Sequence, residues 1–362
     1  MPPTLKDVAE RAGVSIKTVS NVVNGYAFIT PATRERVERA IAETGYRPNL
    51  GARNLRKGRT GFIVLAVPEL DNPYFAELTG LVITAAHRRQ WTVLVEQTQG
   101  SREREQAVIT SMGPQRIDAA ILSPLAMEPS DLERADPATP LVLLGERDIP
   151  GPADHVAIDN VAAARTVVEH LISIGRRRIA VIGDQPGKNG GTGALRIAGH
   201  RQALDAAGLP HDPAMVLPVE NYQRADGAAA MARLLDLPEP PDAVFCCNDL
   251  LAIGAMRTAT DRGISIPGNV AIAGFDDIAE GGYSSPTLTT IAPDKEAIAE
   301  AAVNLADKRV DPIRGGRGAK SAESEDVEAP YALKVRESTA GRAGRDGADG
   351  AAGMAGMAGT GR

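Results

Sequence analysis

Cysteine is nearly absent from this chain: two in 362 residues, Cys246 and Cys247, side by side. Adjacent residues fit an ordinary disulfide poorly, and two thiols with five scattered histidines offer no metal-ligand framework. No metal and no cofactor are expected. No apolar run reaches the roughly 18 residues that a membrane-spanning helix needs. The opening stretch MPPTLKDVAERAG lacks the apolar core of a secretory signal. The expected setting is a reducing cytoplasm with no membrane partner. Catalytic signatures are missing too. There is no GxSxG and no HExxH, and the glycine-rich GDQPGKNGGTG at 183–193 fails the phosphate-cradling pattern because Asn189 follows Lys188. The chain is expected not to be an enzyme.

What is present is organised in zones. With 43% hydrophobic residues, 362 positions suffice for two or three domains. Residues 1–60 hold eleven basic and five acidic side chains, a net of +6 in a chain of net −6, so the remainder carries −12. A basic head on an acidic body points to a polyanionic partner for the head alone. Residues 1–46 read as helical, and 47–60, RPNLGARNLRKGRT, as a basic connector. Residues 61–339 alternate apolar strands with amphipathic helices. The strands are expected at 61–68, 92–98, 119–124, 140–146, 155–159, 178–184, 243–248 and 270–277, in parallel sheets buried on both faces. Residues 340–362 are Gly/Ala-rich and too poor in large apolar side chains to order themselves.

In the head, Thr4 and Asp7 have the spacing of a capping box. Leu5, Val8, Ala9 and Ala12 form one apolar stripe, and Gly13 suits a left-handed helix end. Ser15 caps a second helix with Val19, Val22 and Val23 inward; Thr30 and Pro31 start a third with Val37, Ala40 and Ile41 inward, closed by Gly45. Three short helices with a tight turn between the first two follow the helix-turn-helix plan, in which the second helix enters the major groove of DNA. On its outer face Lys17 suits guanine acceptors, Asn21 suits adenine, and Ile16 suits a thymine methyl. Thr4, Ser15, Thr18, Ser20, Asn24 and Thr33 suit phosphate oxygens. A three-helix module that binds protein fits the same stripes.

The run TLKDVAERAGVSIKTVSNVVNG at 4–25, followed by YRPN at 46–49, resembles the lac/gal repressor family of transcriptional regulators, and the likeness continues through most of the chain. It departs at Asn21, where many members carry arginine. The resemblance implies an all-α helix-turn-helix head and an α/β periplasmic-binding-protein-like core of two doubly wound lobes, joined by crossing strands near 158–161, 289–293 and about 320. It implies a hinge helix in NLGARNLR (49–56), with Leu55 as a wedge in the minor groove of DNA and Ala52 facing a second subunit. Ligands of such sheets lie at the carboxyl ends of the strands. Asn72, Asn248 and Asp276 follow strands there, and read position by position the resemblance places Arg196, Asn248 and Asp276 around a small sugar-like effector, with Tyr222 as an aromatic platform. Asn248 and Asp249 equally suit the cap of the helix 249–261, and Asp276 with Asp277 suits a turn. The tail after Thr339 holds no leucine, which excludes a coiled coil and leaves a homodimer on a pseudo-palindromic operator. A transport protein, or a regulator that docks a phosphocarrier, stands as the alternative.

Overall fold

The structure is a computed structural model. It describes residues 3–23, 26, 28–46, 60–115, 117–135, 139–145, 151, 153–186, 191–314 and 324–341. The chain divides into two units at Thr60/Gly61. The proposed hinge residues Ala52 and Leu55, the phosphate candidate Asn24, and the tail from 342 onward lie outside the described residues.

The first unit holds α1 (Leu5–Ala12), α2 (Ile16–Val23) and α3 (Pro31–Thr44). Its starts and stops follow from side-chain chemistry. The Thr4 and Asp7 side chains each accept the other residue's backbone N–H, at 3.4 and 2.7 Å. Gly13, at φ 63°, ends α1 where any other residue would be strained. Ser15 Oγ accepts the Thr18 N–H at 3.1 Å, and Thr30 Oγ1 accepts that of Thr33 at 3.4 Å. Val8, Ala9, Ala12, Val19, Val22, Val37 and Ala40 form the core. Leu5, Val23 and Ile41, expected inside, are only partly buried, because three short helices enclose little volume.

The second unit has two lobes. Lobe 1 carries β1 (Phe62–Val67), α4 (Pro73–Arg88), β2 (Thr92–Gln97), α5 (Arg102–Gln115), β3 (Ala119–Leu122), α6 (Pro129–Leu132), β4 (Leu141–Leu144) and β5 (Asp154–Ala157). The chain then crosses into lobe 2 for α7 (Asn160–Ser173), β6 (Ile179–Asp184), α8 (Thr192–Ala206), β7 (Val216–Pro218), α9 (Arg224–Leu235), β8 (Ala243–Cys246), α10 (Asp249–Asp261), β9 (Ala271–Phe275), α11 (Ala279–Tyr283) and β10 (Thr289–Pro293). It returns to lobe 1 for α12 (Lys295–Arg314) and β11 (Asp326–Glu328), and ends in lobe 2 with β12 (Tyr331–Lys334) and α13 (Glu337–Ala340).

The sheet orders are β2-β1-β3-β4-β5-β11, entirely parallel, and β7-β6-β8-β9-β10-β12, parallel except for β12. In each, the order reverses beside the first strand, the switch point where doubly wound sheets open a crevice at their carboxyl ends.

Three expectations need correction. The third crossing lies between Glu328 and Tyr331, after the last lobe 1 strand, and not near 320. The strand at 92–98 is not covered on both faces: it is the sheet edge, with Leu94 44% and Val95 38% exposed. The ordered body extends past 339, because Ala340 completes α13. That helix is held by Ser338 Oγ, which donates to the Ile272 carbonyl at 2.6 Å and accepts the Thr289 N–H at 2.8 Å.

Candidate functional site

The outer face of α2 is built by subtraction. Val19 and Val22 fill the head's core, which leaves Ile16 (49% exposed), Lys17 and Asn21 pointing away from it. On the flanking helices Lys6 pairs with Glu10 at 3.8 Å, Arg11 with Glu43 at 2.5 Å and Arg39 with Glu35 at 3.2 Å, while Arg34 donates to the Tyr26 carbonyl at 3.0 Å and Arg36 is exposed. Lys17 forms no ion pair among the described residues, so positive charge is left on the second helix. Ser15 and Thr18 are joined through their hydroxyls at 2.9 Å, as are Thr30 and Thr33 at 2.9 Å. Thr4 is taken up by Asp7 at 2.8 Å. These hydroxyls are therefore partly used in capping, each keeping further lone pairs.

In the second unit, a cleft of about 430 Å³ opens between the lobes at the carboxyl ends of both sheets, a size typical of small-molecule pockets. Asn72, Arg196, Tyr222, Asn248 and Asp276 all line it. Arg196 stands on α8 and is 4% exposed. Its Nε donates to Asn160 Oδ1 at 2.9 Å, Nη1 donates to the Cys247 carbonyl, and Nη1 lies 3.7 Å from Asp276 Oδ1. Its guanidinium carbon sits 3.4 Å from the centre of the Phe275 ring. A buried cation needs this density of partners, since desolvation would otherwise outweigh its attraction to one carboxylate.

The two asparagines do what cap residues do. Asn72 Oδ1 accepts the Tyr74 N–H at 3.1 Å and starts α4; Asn248 Oδ1 accepts the Leu251 N–H at 2.9 Å and starts α10. Asn248 also donates to the Tyr222 carbonyl at 3.0 Å, fixing the loop that carries the tyrosine. The Tyr222 hydroxyl donates to the Gly183 carbonyl at 2.6 Å. Gly193 is required there: a Cβ would fall 2.5 Å from the Tyr222 oxygen and 2.6 Å from that carbonyl. Capping and cleft lining are thus compatible in one residue, because each amide keeps a free hydrogen or lone pair.

Asp276 and Asp277 do form a turn, at φ 109° and 48°. Behind them Asp249 is fully buried, accepting the Thr290 hydroxyl at 2.7 Å and the Ile278 N–H at 2.9 Å. Burial, and then the neighbouring Asp276, push its carboxyl well above the usual range. Burial also pushes the Cys247 thiol up to about 12 and Cys246 higher than its ordinary value, so both are inert packing groups.

The cleft also gathers residues that sequence reasoning passed over: Tyr74, Phe75, Gln99, Ser123, Gln185 and Glu220. Gln99 and Ser123 stand just past the ends of β2 and β3, so the carboxyl-end rule that selects Asn72 reaches them too. Asn160, the partner of Arg196, had no signal, since it matters only through a contact 36 positions away. Trp91 is packing: it is buried and donates its indole N–H to Asp307 at 2.9 Å. Glu146, Arg147 and Lys188 lie outside the described residues.

Residues 4–49 match the model of the bacterial regulatory proteins of the lacI family, and residues 168–339 match the periplasmic binding protein-like domain. The HTH-type transcriptional repressor PurR of Haemophilus influenzae is 32% identical over 312 residues, covering 85% of this chain and 91% of PurR. The chain belongs to the lacI family. Among solved structures, this lacI-family chain is similar to a complex of the transcriptional regulator CelR with cellobiose, at 32% identity, a TM-score of 0.66 and coverage of 93% and 99% of the two chains. It is also similar to the lac repressor dimer bound to operator and the anti-inducer ONPF, at 26% identity, a TM-score of 0.77 and coverage of 94% and 99%. The chain is therefore a DNA-binding transcriptional regulator with a helix-turn-helix head and two α/β lobes, in a family that regulates transcription and does not catalyse a reaction. Among the described residues, no helix is long and apolar enough to cross a membrane.

Proposed function

We propose that this regulator is a repressor that occupies a pseudo-palindromic operator as a homodimer and is controlled by a small, sugar-like effector in the cleft. The observation that carries the reading is the face of α2, where, among the described residues, Lys17 forms no ion pair and Ile16 stays exposed while Val19 and Val22 fill the core. In this reading Ile16, Lys17 and Asn21 meet base edges. Thr4, Ser15, Thr18, Ser20, Asn24 and Thr33 meet phosphates, and Ala52 and Leu55 meet the minor groove. Two-fold pairing is supported by the apolar surface left on lobe 1, Leu94 and Val95 on the edge strand and Ile83 on α4, and by Tyr283, 91% exposed on lobe 2. A sugar-like ligand is supported by the Arg196–Asp276 pair beside Tyr74, Phe75 and Tyr222, a mix of planar charged groups and ring faces suited to vicinal hydroxyls. The similar CelR structure is itself a cellobiose complex.

The experiment is selection of genomic fragments by the full chain at moderate salt, followed by titration of the selected site. Lys17→Ala and Asn21→Ala should each cost about 1–3 kcal/mol on that site and little on random DNA. Equal losses on both would make these residues phosphate contacts. No fragment preferred over bulk competitor would end the reading. A thermal-shift screen of sugars and sugar derivatives tests the cleft, since a true ligand raises the melting temperature progressively with concentration.

A further inference from the structure

The loop that brings Asp276 to the cleft has a backbone that side-chain-bearing residues rarely adopt, and its partners over-determine it. The Asp276 N–H donates to the Ile291 carbonyl at 2.9 Å, the Asp277 carboxylate accepts Arg336 at 2.6 Å, and the Ile278 N–H reaches Asp249. The carbonyls of Asp276 and Asp277 both accept from a single ammonium, Lys295 Nζ, at 3.0 and 2.9 Å. An ammonium has three donors and no acceptor. The third goes to Glu77 on α4, so all three are used. The other Glu77 oxygen accepts the Ala279 N–H of lobe 2 at 3.2 Å. The Lys295 side chain is 12% exposed and lies 5.8 Å from the centre of the Tyr74 ring, a cleft residue.

We propose that Lys295 is a positioning residue, the joint through which the Asp276 loop of lobe 2 is held at a fixed setting against α4 of lobe 1. Lys295 opens α12 two residues after the crossing at Pro293, so any rotation of the lobes about that crossing loads these bonds first. A cation with several donors on a flexible stem meets two carbonyls and a carboxylate at once, and a guanidinium has donors enough to do the same. A ligand on the Asp276 carboxylate then acts on a loop whose carbonyls are already tied to the helix that carries Ile83 on its outer face. This consequence rests on the effector reading of the cleft, whereas the joint itself is testable without ligand or DNA.

The test is the distance between nitroxide labels on cysteines introduced at Thr110 in lobe 1 and Arg233 in lobe 2, in the full, ligand-free protein. The two native cysteines are fully buried and do not compete. Lys295→Gln should add a longer-distance population to the parent's distribution, Lys295→Arg should return the parent's distribution, and Glu77→Gln should add a smaller long component. A distribution unchanged by Lys295→Gln overturns the proposal. So does failure of arginine to rescue, which would make the lysine a packing residue only. Should Lys295→Gln not fold, Glu77→Gln decides by the same criterion. DNA selection is scored separately, so loss of the operator reading and loss of the joint are distinct results.

Discussion

In lobe 1 the sheet ends on β2, six residues long, with Leu94 and Val95 open to the surface; in lobe 2 it ends on β7, three residues long, with Leu217 buried. The cleft divides just as unevenly. Lobe 2 supplies the paired charges Arg196 and Asp276, with Asp249 buried behind them, while lobe 1 supplies Glu69, Asn72, Gln99, Ser123 and two aromatic rings. One strand order, used twice, thus serves two purposes. A lobe whose cleft wall is made of interlocked charges is costly to disturb and suits anchoring. A lobe whose wall, Glu69 apart, is made of neutral groups and whose outer edge is apolar suits closing on a ligand and meeting another surface.

The largest effect that would break this comparison is at Arg196. Arg196→Ala strips the cation from Asp276 and leaves Asn160 and the Cys247 carbonyl without it, so lobe 2 should lose about 3–5 kcal/mol in denaturant unfolding. A loss under about 1 kcal/mol would mean that the charge network is no more structural than the wall opposite.

Acid separates the lobes next. His200, on α8, is buried; its Nε2–H donates to the Ile179 carbonyl at 3.0 Å, its Nδ1 has no hydrogen-bond partner among the described residues, and burial lowers its pKa to about 4. The unfolded chain, titrating near 6.5, takes up the proton first as pH falls. The stability from a neutral His200 is therefore complete above 6.5 and lost progressively down to 4, on the order of 3 kcal/mol in all. His170, also lowered by burial, acts in the same direction. In lobe 1, Arg102 beside Asp131 holds that carboxyl at about 2, so its contribution is lost only as pH falls from the ordinary 3.8 toward 2. Trp91, the chain's one tryptophan, reports lobe 1 alone. Between pH 6.5 and 4.5 its fluorescence midpoint should hold while the midpoint from circular dichroism falls; parallel loss of both would show that the lobes unfold as one.

The smallest effect compares the caps. Asn72→Ala should cost about 1 kcal/mol, the usual loss at a helix start. Asn248→Ala should cost up to about 2, because it also frees the Tyr222 loop. Equal costs would place Tyr222 under the control of Gly183 alone.

The head was legible almost residue by residue. Capping box, glycine turn and proline start are local devices, and all stand where their spacing puts them. Strand positions were legible for the same reason in the buried strands, where an apolar run leaves few alternatives. What failed was contextual. The strand at 92–98 carries an apolar centre, Val93 to Val95, that suits burial as well as an edge, and only the polar Glu96 and Gln97 set it apart from FIVLAV of β1 beside it. Four short strands carry weaker signals: β7 and β11 give none, β10 reads only as a crossing, and β12 is the first part of YALKVREST (331–339), which reads as the last strand. In the cleft, the strand-end rule reached Asn72, Asn248 and Asp276 and was not carried through to Gln99 and Ser123. Lys295 and Asn160 were beyond it, since one begins a helix after a crossing and the other only steadies a guanidinium.

The sequence by itself determined the basic three-helix head, the alternation that builds parallel sheets and the membership in a regulator family, because each rests on periods and spacings a few residues long. Only the tertiary structure decided which strand is an edge, which carboxylates are buried together and which lysine ties one lobe to the other. Those facts depend on contacts between residues tens to hundreds of positions apart, and the balance between desolvation and pairing that fixes them exists only once the chain has closed around them.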